Sequence, residues 1–138
     1  MEGHMKTSLV VVGSMLAIRA LAAHAAGSVE TLPSGVKVEI TQEGTGPQPS
    51  ATDVVKVRYR GTLADGTEFD NSAKHGDVAT FPLNRVIPCW TQGMQKLRVG
   101  GKAKLTCPPE TAYGSRGVGP IPPNSTLNFE VELVDIVK

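Results

Sequence analysis

The sequence predicts an α+β domain in which an antiparallel sheet packs against one short helix. Most segments after residue 28 alternate apolar and polar residues with a period of two, which is typical of strands that bury one face. One segment instead repeats its apolar residues at helical spacing. A sheet of about five strands can bury its apolar face beneath one such helix.

The strands are placed by their alternation and by one turn. The pair Asp65-Gly66 is typical of a hairpin turn, and it separates a strand over Val54–Leu63 from a short strand over Glu68–Asn71. Polar residues on these strands are expected on the outer face. Across all the alternating segments, the apolar residues expected on the inner face are Val36, Val38 and Ile40; Val55, Val57 and Tyr59; Ala103, Leu105 and Cys107; and Leu127, Phe129, Val131 and Leu133.

The helix is predicted from Trp90, Met94 and Leu97, which stand at positions i, i+4 and i+7. Pro88 stands at the start of this segment and Gly100-Gly101 follows its end, which is the usual asymmetry of a helix. We expect two to three turns. Trp90, in the first turn, should lie in the concavity between the sheet and the helix.

Composition excludes several classes of function. The chain has 138 residues, enough for one domain, and its 14 basic and 13 acidic residues give a net charge of +1. This balance provides no bulk attraction to nucleic acid. Two cysteines are too few for a disulfide framework or a four-thiolate zinc site. His75 is interpreted as a solvated loop residue, and we expect no metal and no cofactor.

The first 25 residues are interpreted as a vector-derived start followed by a secretory signal peptide. Lys6 precedes an apolar run over residues 9–18, and Ala23-His24-Ala25 is typical of a cleavage site. The run is shorter than the ~20 residues that span a bilayer, so no stable membrane insertion is expected. Cleavage after Ala25 would leave a periplasmic or secreted domain over residues 26–138. The alternative is an ordinary amphipathic helix at the N-terminus.

Four motifs follow one another along the chain. They are Val57-Arg58-Tyr59-Arg60-Gly61; Gly66-Thr67-Glu68-Phe69-Asp70-Asn71-Ser72; Val86-Ile87-Pro88-Cys89-Trp90; and Ala112-Tyr113-Gly114 with Ile121-Pro122-Pro123-Asn124-Ser125-Thr126-Leu127. Together they resemble the FKBP-type peptidyl-prolyl cis-trans isomerase family, and the resemblance covers nearly all of residues 29–137. The third motif looks most like the secreted bacterial branch, the macrophage infectivity potentiator type.

The resemblance implies a half-barrel sheet wrapped around one helix, with an apolar pocket between them. It implies catalysed rotation about X–Pro bonds in that pocket, assisting the folding of exported proteins. Tyr59, Asp70 and Tyr113 would form the catalytic polar edge. The Ile87 backbone N–H would hold a substrate carbonyl above the floor formed by Trp90. The other implied substrate-binding or macrolide-binding residues are Phe69, Phe81, Val86, Ile121 and Phe129.

The implied partners are proline-containing polypeptides, and macrolides of the tacrolimus and rapamycin type are further candidate ligands. We expect a monomer, since the long helical dimerisation segment of many members of that branch is not seen here. The family often has a second Phe where this chain has Ala79, so macrolides should bind less tightly. The alternative function is a binding module or holdase chaperone that grips proline-containing segments without turnover.

The two cysteines raise a separate question. Cys107 is in phase with the inward residues Ala103 and Leu105, and Cys89 lies at the start of the helix that covers that face. Export would place both thiols in an oxidising compartment, where a lone pair commonly bridges. A disulfide between Cys89 and Cys107 is one interpretation. Two buried free thiols that act as small apolar residues are the other.

Overall fold

The computed structural model describes residues 28–138, and the predicted leader over residues 1–25 lies outside them. The described residues form one sheet of seven antiparallel strands, with one short α-helix against it. The predicted α+β class is confirmed, with seven strands in place of about five. The strands are β1 (Val29–Thr31), β2 (Lys37–Gln42), β3 (Val54–Leu63), β4 (Glu68–Asn71), β5 (Ala79–Pro82), β6 (Lys102–Cys107) and β7 (Leu127–Val137), and the helix is α1 (Pro88–Met94).

The two longest strands, β3 and β7, form the centre of the sheet. They pair along their whole length, from Val54 opposite Val137 to Leu63 opposite Leu127. The strand order is β1-β2-β6-β7-β3-β4, and this path does not close into a barrel. The other edge of β3 is shared, because β5 pairs with its first half and β4 with its second. These two short strands bring their side chains to the same end of the concave face as α1.

Two short strands, β1 and β5, were absent from the prediction. β1 has three exposed residues and lies at the edge of the sheet beside β2. β5 has four residues and ends at Pro82. Proline has no N–H to donate to a neighbouring strand, and an edge strand such as β5 tolerates this loss. Neither segment is long enough to display alternation. β5 nevertheless matters for the site, since it places Phe81 beside β3.

The helix is shorter than the spacing of its apolar residues predicts. It ends at Met94. The next turn is tighter, with hydrogen bonds of the 3₁₀ type between residues three apart: Lys96 N–H donates to the Gly93 carbonyl (3.0 Å) and Leu97 N–H to the Met94 carbonyl (3.1 Å). Leu97 is buried as expected but lies outside the helix. No helix within residues 28–138 is both long and apolar enough to cross a membrane.

The first turn of α1 is fixed to the end of β6. The structure joins Cys89 and Cys107 in a disulfide, with their Cα atoms 5.6 Å apart, and both residues are fully buried. Further along the helix, a Cβ at Gly93 would approach Leu105 Cδ2 to 3.0 Å, so the absence of a side chain lets α1 pack closely on the sheet. Trp90, the residue after Cys89, is therefore held against the concave face.

Candidate active site

An apolar pocket of about 500 Å³ opens between the concave face of the sheet and the start of α1. Strands β3, β4, β5 and β7 contribute one wall, and the chain leading into α1 contributes another. Tyr113 and its neighbour Ala112 close a third side. The lining residues are Tyr59, Phe69, Asp70, Phe81, Arg85, Val86, Ile87, Trp90, Ala112, Tyr113 and Phe129.

Trp90 forms the floor of this pocket and is only 4% exposed. Three rings meet it edge-to-face, with centroid distances of 5.1 Å to Tyr59, 5.4 Å to Phe81 and 5.3 Å to Phe129. Such pairs stabilise a cluster beyond the burial of their area. The buried Nε1–H of Trp90 has no hydrogen-bond acceptor within residues 28–138. The floor is thus a rigid aromatic surface whose one polar atom is unsatisfied.

The wall beside the floor depends on a glycine. Phe69 and Phe129 meet edge-to-face at 5.5 Å. A Cβ at Gly61, between them on β3, would approach Phe69 Cζ to 2.6 Å and Phe129 Cε1 to 2.9 Å. Any side chain at Gly61 would push these two rings apart. Glycine is therefore required at the end of the Val57–Gly61 motif so that both rings can pack in the pocket wall.

The polar edge of the pocket is organised around Asp70 on β4. The Tyr59 hydroxyl donates to Asp70 Oδ2 at 2.7 Å, and the Asn71 backbone N–H donates to Oδ1 at 2.8 Å. His75 Nε2 lies 2.9 Å from the same Oδ1. The short turn Ser72–His75 brings the His75 ring to Asp70, and the Asn71 side chain caps this turn by accepting from the Ala73 N–H.

These contacts shift the ionisation of three groups. Burial alone would raise the pKa of Asp70, but the hydrogen bonds from Tyr59, His75 and the Asn71 N–H outweigh it and hold that pKa below its ordinary value. Burial, reinforced by the Asp70 charge, raises the pKa of both Tyr59 and Tyr113 above the ordinary value for a phenol. At neutral pH the edge therefore presents one carboxylate and two protonated hydroxyls.

The Tyr113 hydroxyl and the Ile87 backbone N–H also lack an acceptor among the described residues. The Tyr113 hydroxyl makes no hydrogen bond within residues 28–138, and its side chain is partly exposed at the pocket edge. The Ile87 backbone N–H is likewise without a partner there, because Ile87 precedes α1 and only its carbonyl is used by the helix. Both donors are free to bind a carbonyl oxygen of a ligand. Within the same part of the chain, no three His, Cys, Asp or Glu side chains converge as a metal site would require.

A family model for FKBP-type peptidyl-prolyl cis-trans isomerases matches residues 46–134, which include every lining residue of this pocket. The chain belongs to this family. The resemblance of its four motifs is thereby confirmed.

Relatives and solved structures agree with this membership. The chain is 52% identical over 110 residues to the FKBP-type peptidyl-prolyl cis-trans isomerase FkpA of Aeromonas hydrophila, covering 80% of this chain and 41% of that protein. It is 44% identical to the outer membrane protein MIP of Legionella longbeachae, covering 80% and 48%. A crystal structure of a peptidyl-prolyl cis-trans isomerase from Pseudomonas syringae superposes with a TM-score of 0.75 at 34% identity, covering 95% of this chain and 96% of that one. The chain spans less than half the length of these two curated relatives.

The structure brings together all but one of the residues implied by the FKBP motifs. Ile121 is the exception, since it is buried with the hydrophobic core and does not line the pocket. Its N–H and carbonyl pair with Val118 across the loop that follows Tyr113. The remaining nine residues line the pocket together.

Sequence reasoning did not assign three residues that the structure places at or beside the pocket. Arg85, which adjoins the Val86–Trp90 motif, and Ala112, which begins the Ala112–Gly114 motif, line the pocket. His75 is exposed, as expected of a loop residue, but it is also a hydrogen-bond partner of Asp70. The Asn71-Ser72 pair, typical of a turn start, was the available signal that the chain folds back toward Asp70.

Proposed function

We propose that this FKBP-type domain catalyses cis–trans rotation about the peptide bond before proline in polypeptide substrates. The observation that carries the proposal is the combination of an aromatic pocket over Trp90 with two free hydrogen-bond donors, the Ile87 N–H and the Tyr113 hydroxyl. A proline ring is apolar and compact, so it can pack against the Trp90 floor. The carbonyl groups on either side of the ring can accept hydrogen bonds from the two donors.

The chemistry needs neither a nucleophile nor a change in covalent bonding. Rotation about an amide bond costs ~18–20 kcal/mol because the twisted amide loses its resonance. A planar amide separates more charge than a twisted one, so an apolar aromatic site stabilises the twisted state relative to the planar state. This is preferential binding of the transition state, and each ~1.4 kcal/mol of preference increases the rate tenfold.

The polar edge contributes by fixing the ends of the substrate. A carbonyl that accepts from the Ile87 N–H holds one side of the amide while the other side turns. Asp70 stays ionised at neutral pH and orients the Tyr59 hydroxyl, which keeps this wall of the pocket in one arrangement. Tyr113 stays protonated and so remains a donor.

Exchange NMR on proline peptides with the purified chain tests the proposal. We expect isomerisation faster than the uncatalysed rate, and slower turnover in the Asp70→Ala and Tyr113→Phe variants with their folds retained. The Tyr113→Phe variant is the cleaner of the two, because its hydroxyl has no partner within residues 28–138 to lose. Binding without acceleration would instead favour the holdase module, and no binding at all would refute both.

We further propose that macrolides of the tacrolimus type bind in this pocket, with reduced affinity. Ala79 lies two residues before Phe81 on β5, so the two side chains share a face of the strand. A ring in place of the Ala79 methyl adds apolar contact of up to about 3 kcal/mol. Titration calorimetry of wild type and Ala79→Phe should therefore show tighter binding in the variant, and equal affinities would refute this account of the wall.

We also propose that the domain works as a monomer outside the cytoplasm, in the periplasm or as a secreted protein that assists the folding of exported chains. The predicted signal peptide and cleavage after Ala25 support export, as does the pairing of Cys89 with Cys107. Mass spectrometry of the protein recovered from a periplasmic fraction should give a chain that begins at residue 26. Sedimentation of that product should give the mass of one copy.

A further inference from the structure

One charged side chain at the pocket is left unpaired. Arg85 is exposed, ends the short turn Leu83–Arg85 and lines the pocket beside Val86 and Ile87. Within residues 28–138, no carboxylate forms an ion pair with it. Asp70, the acidic residue of the pocket lining, is already bonded to Tyr59 and His75. The pocket mouth therefore carries a free guanidinium.

Two arginines on the convex face of the sheet are paired. Arg58 pairs with Asp77 at 2.9 Å, and Arg60 pairs with Glu68 at 2.7 Å. Arg85, like the exposed Arg116 outside the pocket, forms no ion pair within residues 28–138. The pocket positions a planar cation where a bound polypeptide passes, and a carboxylate is the partner that a guanidinium binds best.

The backbone before α1 relates Arg85 to the substrate. Val86 is extended, with φ −114° and ψ 176°, so the side chains of Arg85 and Ile87 leave the chain on the same side. A substrate carbonyl that accepts from the Ile87 N–H is bound two residues along the protein chain from Arg85. The substrate side chain next to that carbonyl is then the one that the Arg85 guanidinium can contact.

We propose that Arg85 is a specificity residue that favours polypeptides with Asp or Glu flanking the proline. The inference rests on the proposed isomerase function and names the substrate class of that pocket. Exposed ion pairs are weak and screened by salt, so the expected preference is modest. A Glu-containing peptide should have a kcat/KM about two- to fivefold above that of its Gln counterpart at low ionic strength.

Exchange NMR on matched peptides tests the inference without a helper protease, whose own specificity would distort the comparison. Two pairs are needed, with Glu or Gln immediately before the proline and with Glu or Gln immediately after it. The measured quantity is the Glu-to-Gln ratio of kcat/KM in each pair. Arg85→Gln removes the charge, Arg85→Glu reverses it, and Lys56→Gln is the control, since it removes an equal charge from an exposed residue outside the pocket.

We expect a ratio above one in at least one pair for wild type and Lys56→Gln, close to one for Arg85→Gln and below one for Arg85→Glu. The wild-type ratio should also fall toward one at high salt. Acceleration of the Gln peptides with a ratio that the Arg85 variants do not change overturns this inference and leaves the isomerase function standing. Failure to accelerate any of the four peptides overturns the proposed function, and this inference with it.

Discussion

The two faces of β3 carry opposite chemistry although they belong to one strand. On the concave face, Val55 and Val57 are fully buried and Tyr59 is 7% exposed. On the convex face, Arg58 and Arg60 stay exposed. The concave side chains meet α1 and the rings of the pocket, whereas the convex ones meet only other charged side chains and solvent.

The convex face is a ladder of exposed ion pairs. Arg58 contacts Asp77 and Glu132, and Arg60 contacts Glu68 and Glu130. Exposed pairs of this kind contribute about 0–1 kcal/mol each, because water screens them and two long side chains must be ordered. A groove of about 290 Å³ lies among these charges, and its lining mixes cations with anions. The ladder keeps the sheet soluble and adds little stability.

The concave face supplies both stability and the site. Where α1 packs on the sheet, as at Leu105, the side chains are fully buried and form the core. Where the cover ends, near the first turn of α1, side chains of the same apolar type line an open pocket. Incomplete closure of one hydrophobic layer therefore creates the site, and Trp90 belongs to both the core and the pocket.

Loss of the floor should give the largest effect. Trp90→Ala removes a 96%-buried indole with three edge-to-face neighbours, so we expect a loss of about 3–5 kcal/mol in the free energy of unfolding and loss of isomerase activity. Denaturant unfolding and exchange NMR measure these two quantities. Trp90→Phe is the matched control. It retains a ring and sacrifices no hydrogen bond within the described residues, so a loss as large as that of Trp90→Ala would contradict the apolar role of the floor.

Removal of the disulfide should be next in size. A bridge that closes 18 residues stabilises a domain by about 3 kcal/mol in the chain-entropy model, and the double variant Cys89→Ala/Cys107→Ala should lose about that much. Reductant should destabilise wild type and leave the double variant unchanged. Thiol titration of the unfolded, unreduced protein should find no free thiol, and two free thiols would show that the bridge is not formed.

The polar edge should give a smaller, pH-dependent effect. The pKa of Asp70 in the folded state lies below its ordinary value of 3.8, so its contribution to stability is present above that pH and is lost as the pH falls through the folded pKa. His75→Ala removes one of the donors that lower this pKa. The titration of the Asp70 carboxyl, followed by NMR, and the acid limb of activity should therefore both move to higher pH.

Lys74→Ala serves as the control for His75→Ala. Lys74 lies in the same short turn but contacts Glu68, at 3.7 Å, instead of Asp70. Its removal should leave the Asp70 titration nearly unchanged. Equal shifts in the two variants would show that the net charge of the turn, and not the His75 hydrogen bond, sets the pKa of Asp70.

The convex face should give the smallest effect. Arg58→Gln and Arg60→Gln each break exposed ion pairs, so we expect losses of no more than about 1 kcal/mol in the free energy of unfolding and an unchanged isomerisation rate. Denaturant unfolding at low and high salt separates the contribution of the ion pairs to the free energy of unfolding, which salt screens, from contributions that do not depend on salt. A loss comparable to that of Trp90→Ala would mean that the two faces of β3 contribute equally to stability, contrary to this expectation.

Alternation and spacing place three residues of the pocket, and the resemblance to the FKBP motifs implied the others that were predicted. The period of two sends Tyr59 and Phe129 to the inner face of the sheet, and helical spacing sends Trp90 there from the opposite side. The short strand β5 and the end of α1 were missed. Three or four residues show no period, and the tight turn after Met94 continues the apolar spacing to Leu97 without continuing the helix.

The sequence by itself determined which residues face inward, because side-chain direction in strands and helices follows local geometry. Only the tertiary structure decided which of those residues lie side by side in the pocket and which are covered in the core. Asp70 lies on β4 and His75 stands five residues later, and the capped turn over Ser72–His75 is what brings them into contact. Arg85 is part of no sequence pattern, and only the structure shows that it lines the pocket without an ion pair within residues 28–138. Ion pairing depends on distances between segments remote in sequence, which local periodicity does not encode.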